Sequence, residues 1–186
     1  MSTASHPRLM TAEEFMDADH GEGIHELVRG KVVESPPSHF EHGVVCGRVA
    51  GLFWEYQRRT SYGHGASNNT LVQTEKNPDT VRGVDFMFFS NARWPKPSET
   101  AKLPPLAPDV AIEVASPSNR RGDLLKKASE YLAAGRLAVW LVYPKKRSVA
   151  IFRDSQTPPV VLTEGDVIED QPELPGFRCT VAELFP

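Results

Sequence analysis

Apolar residues recur along this chain at two periods, one helical and one extended. In residues 41–59, Val45, Cys46, Val49, Leu52, Phe53 and Tyr56 return at helical spacing. At ~100° per residue His42 falls on the same stripe, one turn before Val45 and Cys46. A second helix is predicted from Asp123 to Ala134, with Leu124, Leu125, Ala128, Tyr131 and Leu132 on its apolar stripe and Gly135 as its C-terminal cap. Short helical turns are expected at both ends. Near the start, Thr11 followed by Glu14 makes a capping-box pattern; near the finish stands Val181-Ala-Glu-Leu-Phe185.

Extended segments fill the intervals. Ile24-His-Glu-Leu-Val28 and Lys31-Val-Val-Glu34 flank Arg29-Gly30 and predict a hairpin, ended by Ser35-Pro36-Pro37-Ser38. Thr70-Leu-Val-Gln-Thr74 and Gly83-Val-Asp-Phe-Met-Phe-Phe89 are strands about a turn at Asn77-Pro78-Asp79. Residues 94–108 carry no period and are expected to form a surface loop. Asp109-Val-Ala-Ile-Glu-Val-Ala115 is a strand stopped by Ser116-Pro117-Ser118. Ala138-Val-Trp-Leu-Val-Tyr143 is nearly all apolar, as for a strand buried on both faces. Further strands follow at residues 148–152 and 160–163. The core order is helix, strand, strand, strand, helix, strand, which predicts an α/β fold with a mixed central sheet flanked by helices.

Composition changes this picture little. A chain of 186 residues fits one domain, with the core at about residues 24–144 and residues 145–186 as a C-terminal strand extension. The 40% apolar and 24% charged fractions are those of an ordinary globular protein. A net charge of -3 excludes a globally basic nucleic-acid binder, so such a partner would need a local basic surface. The first ten residues lack the apolar core of a signal peptide, and no run of ~18 apolar residues occurs; a cytoplasmic location is expected. Cys46 and Cys179 have no metal-type spacing to each other, and Cys46 is expected to be a buried free thiol. Besides His42, the histidines (His6, His20, His25, His39, His64) show no His-x3-His or Cys/His ligand spacing, so zinc is not expected.

The candidate chemistry lies in acids placed inside apolar strands. Asp85 stands in Val84-Asp85-Phe86 and Glu113 in Val-Ala-Ile-Glu113-Val114. Desolvating a lone carboxylate is costly, so a strand keeps one in its interior when a cation or hydrogen-bond donor compensates it. Two such strands side by side could set both carboxylates around one hard divalent ion, Mg²⁺ or Mn²⁺. Asp109, beside Pro108, reads instead as a strand boundary. In the following helix Lys126 projects away from the apolar stripe and Lys127 borders it, so Lys127 is the lysine able to lean toward the sheet. A lysine there can orient or deprotonate an attacking water, or neutralise charge developing at phosphorus.

These segments resemble the Uma2-like (DUF820) restriction-endonuclease family of the PD-(D/E)XK nuclease superfamily, over most of the chain. The resemblance is carried by His25-Glu26-Leu-Val-Arg-Gly-Lys31, Glu41-His42 and Val84-Asp85-Phe-Met-Phe. It is strongest at Ala107-Pro-Asp-Val-Ala-Ile-Glu-Val-Ala-Ser-Pro-Ser118, Asp123-Leu-Leu-Lys-Lys127 and Tyr131-Leu-Ala-Ala-Gly135, with Trp140-Leu-Val-Tyr-Pro144 and Leu174-Pro-Gly-Phe177 following. It implies a restriction-endonuclease-like fold with an N-terminal hairpin and extra C-terminal strands. It implies catalysis by Asp85, Glu113 and Lys127, with metal ligation by Asp85, Glu113 and the carbonyl of Val114. Val84 stands where many relatives have proline. The superfamily lysine would fall at position 115, which is Ala115, and the family resemblance moves that lysine to Lys127. Glu26 and His42 are secondary candidates, with Glu26 or Glu41 as an outer acid.

The function expected on this basis is Mg²⁺-dependent (or Mn²⁺-dependent) endonucleolytic hydrolysis of DNA by a homodimer. Arg120, Arg121, Lys126, Arg58 and Arg59 are candidates for backbone contacts. The alternative is a nuclease fold without turnover, serving binding or assembly, which the acidic balance favours. Metal affinity that depends on Glu113 separates the two.

Overall fold

The computed structural model describes residues 8–94, 101–117 and 121–186. Arg120 lies outside these residues, as does the side chain of Arg121. Helix α1 (Ala12–Asp17) starts at Thr11, whose side chain accepts from the Glu14 amide while the Glu14 carboxylate accepts from the Thr11 amide. The hairpin pairs β1 (Ile24–Val28) with β2 (Lys31–Ser35), and Arg29 and Gly30 both take positive φ at its turn. Helix α2 (Phe40–Thr60) is followed by β3 (Gly63–Glu75) and β4 (Thr80–Ser90). Next come β5 (Val110–Val114), α3 (Arg121–Ala133), β6 (Ala138–Tyr143), β7 (Ser148–Phe152) and β8 (Val160–Thr163). The short pair β9 (Val167–Ile168) and β10 (Cys179–Thr180) precedes a closing 3-10 turn, Val181–Leu184.

Eight strands form one mixed sheet in the order β2-β1-β4-β5-β6-β7-β8, with β3 paired to β4. Only β5 and β6 run parallel, joined by the α3 crossover. The predicted elements are all present; β3 begins well before Thr70, because a bulge between Ser67 and Thr70 lets one bent strand follow the whole of β4. Residues 101–109 contain neither helix nor strand. Asp109 ends the loop as a strand boundary, its carboxylate accepting from the Ser90 amide at 2.6 Å.

Each helix covers one face of the sheet. On one side Val45, Val49, Phe53 and Tyr56 of α2 pack on Phe86, Phe88, Ile112 and Trp140, and the C-terminal residues Phe177, Val181 and Leu184 close that core. Burying an aromatic such as Phe53 contributes roughly 1.5–3 kcal/mol. On the other side Leu124, Ala128 and Tyr131 of α3 meet Met87, Ala111, Val139 and Leu141. No helix among the described residues is long and apolar enough to cross a membrane.

One irregularity in this sheet positions the site. Strand β3 pairs along β4 from Thr80 to Ser90, leaving β4 one other edge. That edge is divided, with β1 meeting it at Val81 and β5 from Phe86 onward. Residues 82–85 therefore border a fork between two diverging strands, and the backbone amides there that face away from β3 have no ladder partner and need side-chain acceptors.

Candidate active site

Carboxylates supply the acceptors that the fork lacks. Glu26 of β1 accepts from the Gly83 amide at 3.1 Å, and Asp85 of β4 accepts from the Val114 amide at 2.8 Å. The β4–β5 register, Phe86 opposite Ile112, brings Asp85 level with Glu113 across the strands. The fork opens as a cleft of about 120 Å³ whose walls include Glu26, His42, Asp85, Glu113, Val114 and Lys127. Six of the residues singled out in the sequence thus border one cleft, whereas Glu41, the alternative outer acid, lines a neighbouring hollow instead.

Two helices hold the two central acids in place. From α2, His42 Nε2 lies 3.1 Å from Asp85 Oδ2, and this bond raises the His42 pKa above its ordinary value against the opposing effect of burial. From α3, the Tyr131 hydroxyl donates to Glu113 Oε1 at 2.5 Å. Lys127 Nζ sits 2.8 Å from Glu26 Oε1 and 3.7 Å from Glu113 Oε2. Burial opposes the Lys127 charge, but Glu113 and Glu26 hold its pKa above the usual lysine value, so it is an ammonium ion. Lys126 is exposed on the far flank, 3.9 Å from Glu130. The helical wheel therefore separated the adjacent lysines in the direction the structure shows.

The electrostatics leave Glu113 the least comfortable group. Burial raises its carboxyl to about 7; Lys127 and the Tyr131 bond oppose that rise, while the negative charges of Asp85 and Glu26 add to it. Glu26 differs. Burial would raise it too, but Lys127 and Arg82 hold it below the usual carboxylate value. For Glu113 a folded value above the unfolded 4.5 means that the native state binds the extra proton. Stability is then full below pH 4.5 and is lost as pH rises toward about 7. His42, raised by Asp85, contributes with the same sign at higher pH. Thermal melting in chelator should show a falling Tm across this range, and Glu113→Gln should remove the lower part of the fall. A Tm advantage of Glu113→Gln that does not grow with pH would contradict this account.

Several participants were not legible as site residues. Arg82 Nη1 lies 2.8 Å from Glu26 Oε2, and its Nε and Nη2 take both oxygens of Glu130 at 2.7 and 2.9 Å. Glu26 is consequently a fully engaged ion-pair partner as well as a backbone acceptor. Tyr131 stood on the apolar stripe of α3 and in the family-like segment Tyr131-Leu-Ala-Ala-Gly135, neither of which marked it as a partner of Glu113. Cys46, expected to be buried, is half-buried and free, with Sγ 3.5 Å from His42 Nδ1. The signal for that contact was the i, i+4 spacing of His42 and Cys46 on one helix face. Arg59 donates to the Gly176 carbonyl at 3.0 Å. Lys145 and Lys146 are exposed and border a hollow with Glu41 and Ser116; Ser116 also lines the cleft itself.

The donor set fits a hard divalent cation. Asp85 and Glu113 offer two carboxylates beside the Val114 backbone, and the lift in the Glu113 pKa marks negative charge that a cation would relieve.

Comparisons with known proteins agree with this architecture. A crystal structure described as a "putative nuclease belonging to DUF820" from Anabaena variabilis matches with a TM-score of 0.81 and 20% identity, over 95% of this chain and 97% of that one. At that identity the likeness establishes the fold: a mixed central sheet flanked by helices, with extra strands. No curated protein matches the chain. The Uma2 family pattern, described as "Putative restriction endonuclease", matches residues 12–182, nearly the whole sequence, and on that extent the chain belongs to the Uma2 family.

Proposed function

We propose that the chain is a Mg²⁺-dependent (or Mn²⁺-dependent) endonuclease that hydrolyses DNA phosphodiester bonds at the forked cleft. The observation that carries this reading is the convergence of Asp85, Glu113 and an ammonium-state Lys127 on one cleft. Membership of a family described as restriction endonucleases supports the reaction class. Asp85, Glu113 and the Val114 carbonyl would hold a divalent cation, which when bound would supply Lewis acidity toward the phosphate and lower the pKa of a bound water.

The chain's own groups set the geometry around that chemistry. His42 and the Val114 amide fix Asp85, and Tyr131 fixes Glu113, so neither carboxylate must reorganise when substrate enters. Lys127, which Glu113 and Glu26 hold as an ammonium ion in the metal-free chain, is placed to orient the attacking water or to neutralise charge developing at phosphorus. Incubation of supercoiled plasmid with Mg²⁺ tests the reading. Wild type should nick it, chelator should stop the reaction, and Lys127→Ala should slow it by about 10²-fold. Equal nicking by wild type and variant would refute the assignment.

Substrate contact is assigned to Lys145 and Lys146, which are exposed on the hollow that adjoins the cleft at Ser116. Replacing both by alanine should weaken DNA binding across all sequences and lower the slope of log K against log salt by about 2. Fluorescence anisotropy at several salt concentrations measures that slope.

One observation favours the reading without turnover: the shortest Lys127 contact goes to Glu26, at 2.8 Å, and not to Glu113. Calorimetry with Mg²⁺ decides. Divalent-ion affinity lost in Glu113→Gln supports the endonuclease, and its absence in wild type supports the binding module.

A further inference from the structure

We propose that His42, Cys46 and Asp85 form a second, softer metal site, selective for Zn²⁺ and similar borderline cations over Mg²⁺. Each of the three residues presents one ligand atom, and these atoms all lie within 4.8 Å of one another. His42 Nε2 is 3.1 Å from Asp85 Oδ2 and 3.9 Å from Cys46 Sγ. A tetrahedral zinc ion, with Zn–N and Zn–O near 2.0 Å and Zn–S near 2.3 Å, sets its N and O ligands about 3.3 Å apart and its N and S ligands about 3.5 Å apart. The two histidine distances therefore come within a few tenths of an ångström of those edges. The sulfur-to-carboxylate edge is within 4.8 Å, against about 3.5 Å in a tetrahedral zinc site, so the half-buried Cys46 side chain must shift to close it.

The local sequence explains why these donors meet. His42 and Cys46 are four residues apart on α2, so they stack on one helix face one turn apart. The α2 packing then lays that face against β4 at Asp85. Three protein ligands leave a fourth position for water or an exogenous ligand, as in open zinc sites. An entry path exists, because His42, Cys46 and Asp85 all border a second cleft of about 250 Å³, walled also by Ser38, Asn68 and Asn69.

Ligand chemistry provides the selectivity. Thiolate and imidazole favour zinc, whereas magnesium takes oxygen donors and holds its waters. Binding releases the Cys46 thiol proton, and any proton on His42, to solvent. Asp85 is common to this site and to the proposed hard-cation centre, so zinc would compete for that carboxylate. This consequence rests on the endonuclease reading; the binding itself does not.

Cobalt substitution tests the site on the full chain. Titration of the metal-free, reduced protein with Co²⁺ should produce a thiolate-to-cobalt charge-transfer band in the near ultraviolet that saturates at about one equivalent and is bleached by Zn²⁺. Cys46→Ser should abolish the band and weaken zinc binding, measured against a chromophoric chelator, by at least about tenfold. Cys179→Ser should keep the band, since Cys179 lies buried on β10. Glu113→Gln should keep it too while losing Mg²⁺ affinity, which separates this proposal from the endonuclease reading. No band in wild type, a band that survives Cys46→Ser, or zinc affinity indifferent to that change would each overturn it.

Discussion

Asp85→Asn is expected to reduce Mg²⁺-dependent plasmid nicking by about 10³-fold while leaving the fold intact. Asparagine keeps the shape of the side chain and one carbonyl oxygen, which can still accept from the Val114 amide where Asp85 Oδ2 now accepts at 2.8 Å. What disappears is the negative charge that faces Glu113 across the β4–β5 register. A catalytic cation contributes several kcal/mol of transition-state stabilisation, and about 4 kcal/mol corresponds to the stated factor. His42 loses its charged partner at the same time, so its raised pKa should return toward the ordinary histidine value. Initial nicking rates together with a histidine NMR titration check both consequences. Unchanged nicking would remove Asp85 from the reaction, and an unmoved His42 titration would deny the pairing.

Arg82→Leu should lower stability by about 3–5 kcal/mol, the usual cost of leaving buried carboxylates without their cation. The Arg82 side chain is 8% exposed and bridges Glu26, at 6%, to Glu130, at 9%. After the change Glu26 retains Lys127, but Glu130 keeps only the distant, exposed Lys126. For a chain of this size such a loss lowers Tm by roughly 6–20 °C. The deficit should shrink in acid, where the orphaned carboxylates take up protons, and Glu130→Leu added to Arg82→Leu should recover much of it. A Tm within a degree or two of wild type at neutral pH would show that the triad is not holding the fork together.

These expectations differ in how far the sequence supports them. The elements were legible because each burial face leaves a period. The α2 stripe was readable from Val45 to Tyr56, and the α3 stripe separated Lys127 from Lys126. Asp85 and Glu113 stood out for the converse reason, as acids in strands whose neighbours are apolar. By contrast, Arg82 sits in a strand in which every residue is buried, and its sequence gives no hint of two carboxylate partners 56 and 48 residues away. The start of β3 was missed because Gly63-His-Gly-Ala-Ser-Asn-Asn69 carries no alternation, and its pairing is dictated by the neighbouring β4.

Local periodicity and the cost of burying charge were therefore sufficient to determine the mixed sheet between two helices, and to mark Asp85, Glu113 and Lys127 as candidates. Only the tertiary structure decided which groups those residues meet. The divided edge of β4 leaves amides that Glu26 and Asp85 must satisfy, and it opens the cleft between β1 and β5. The meetings of Arg82 with Glu26 and Glu130, of Tyr131 with Glu113, and of His42 and Cys46 with Asp85 depend on strand divergence and helix placement. A one-dimensional period records which face of an element is buried. It does not record which distant group that face will meet.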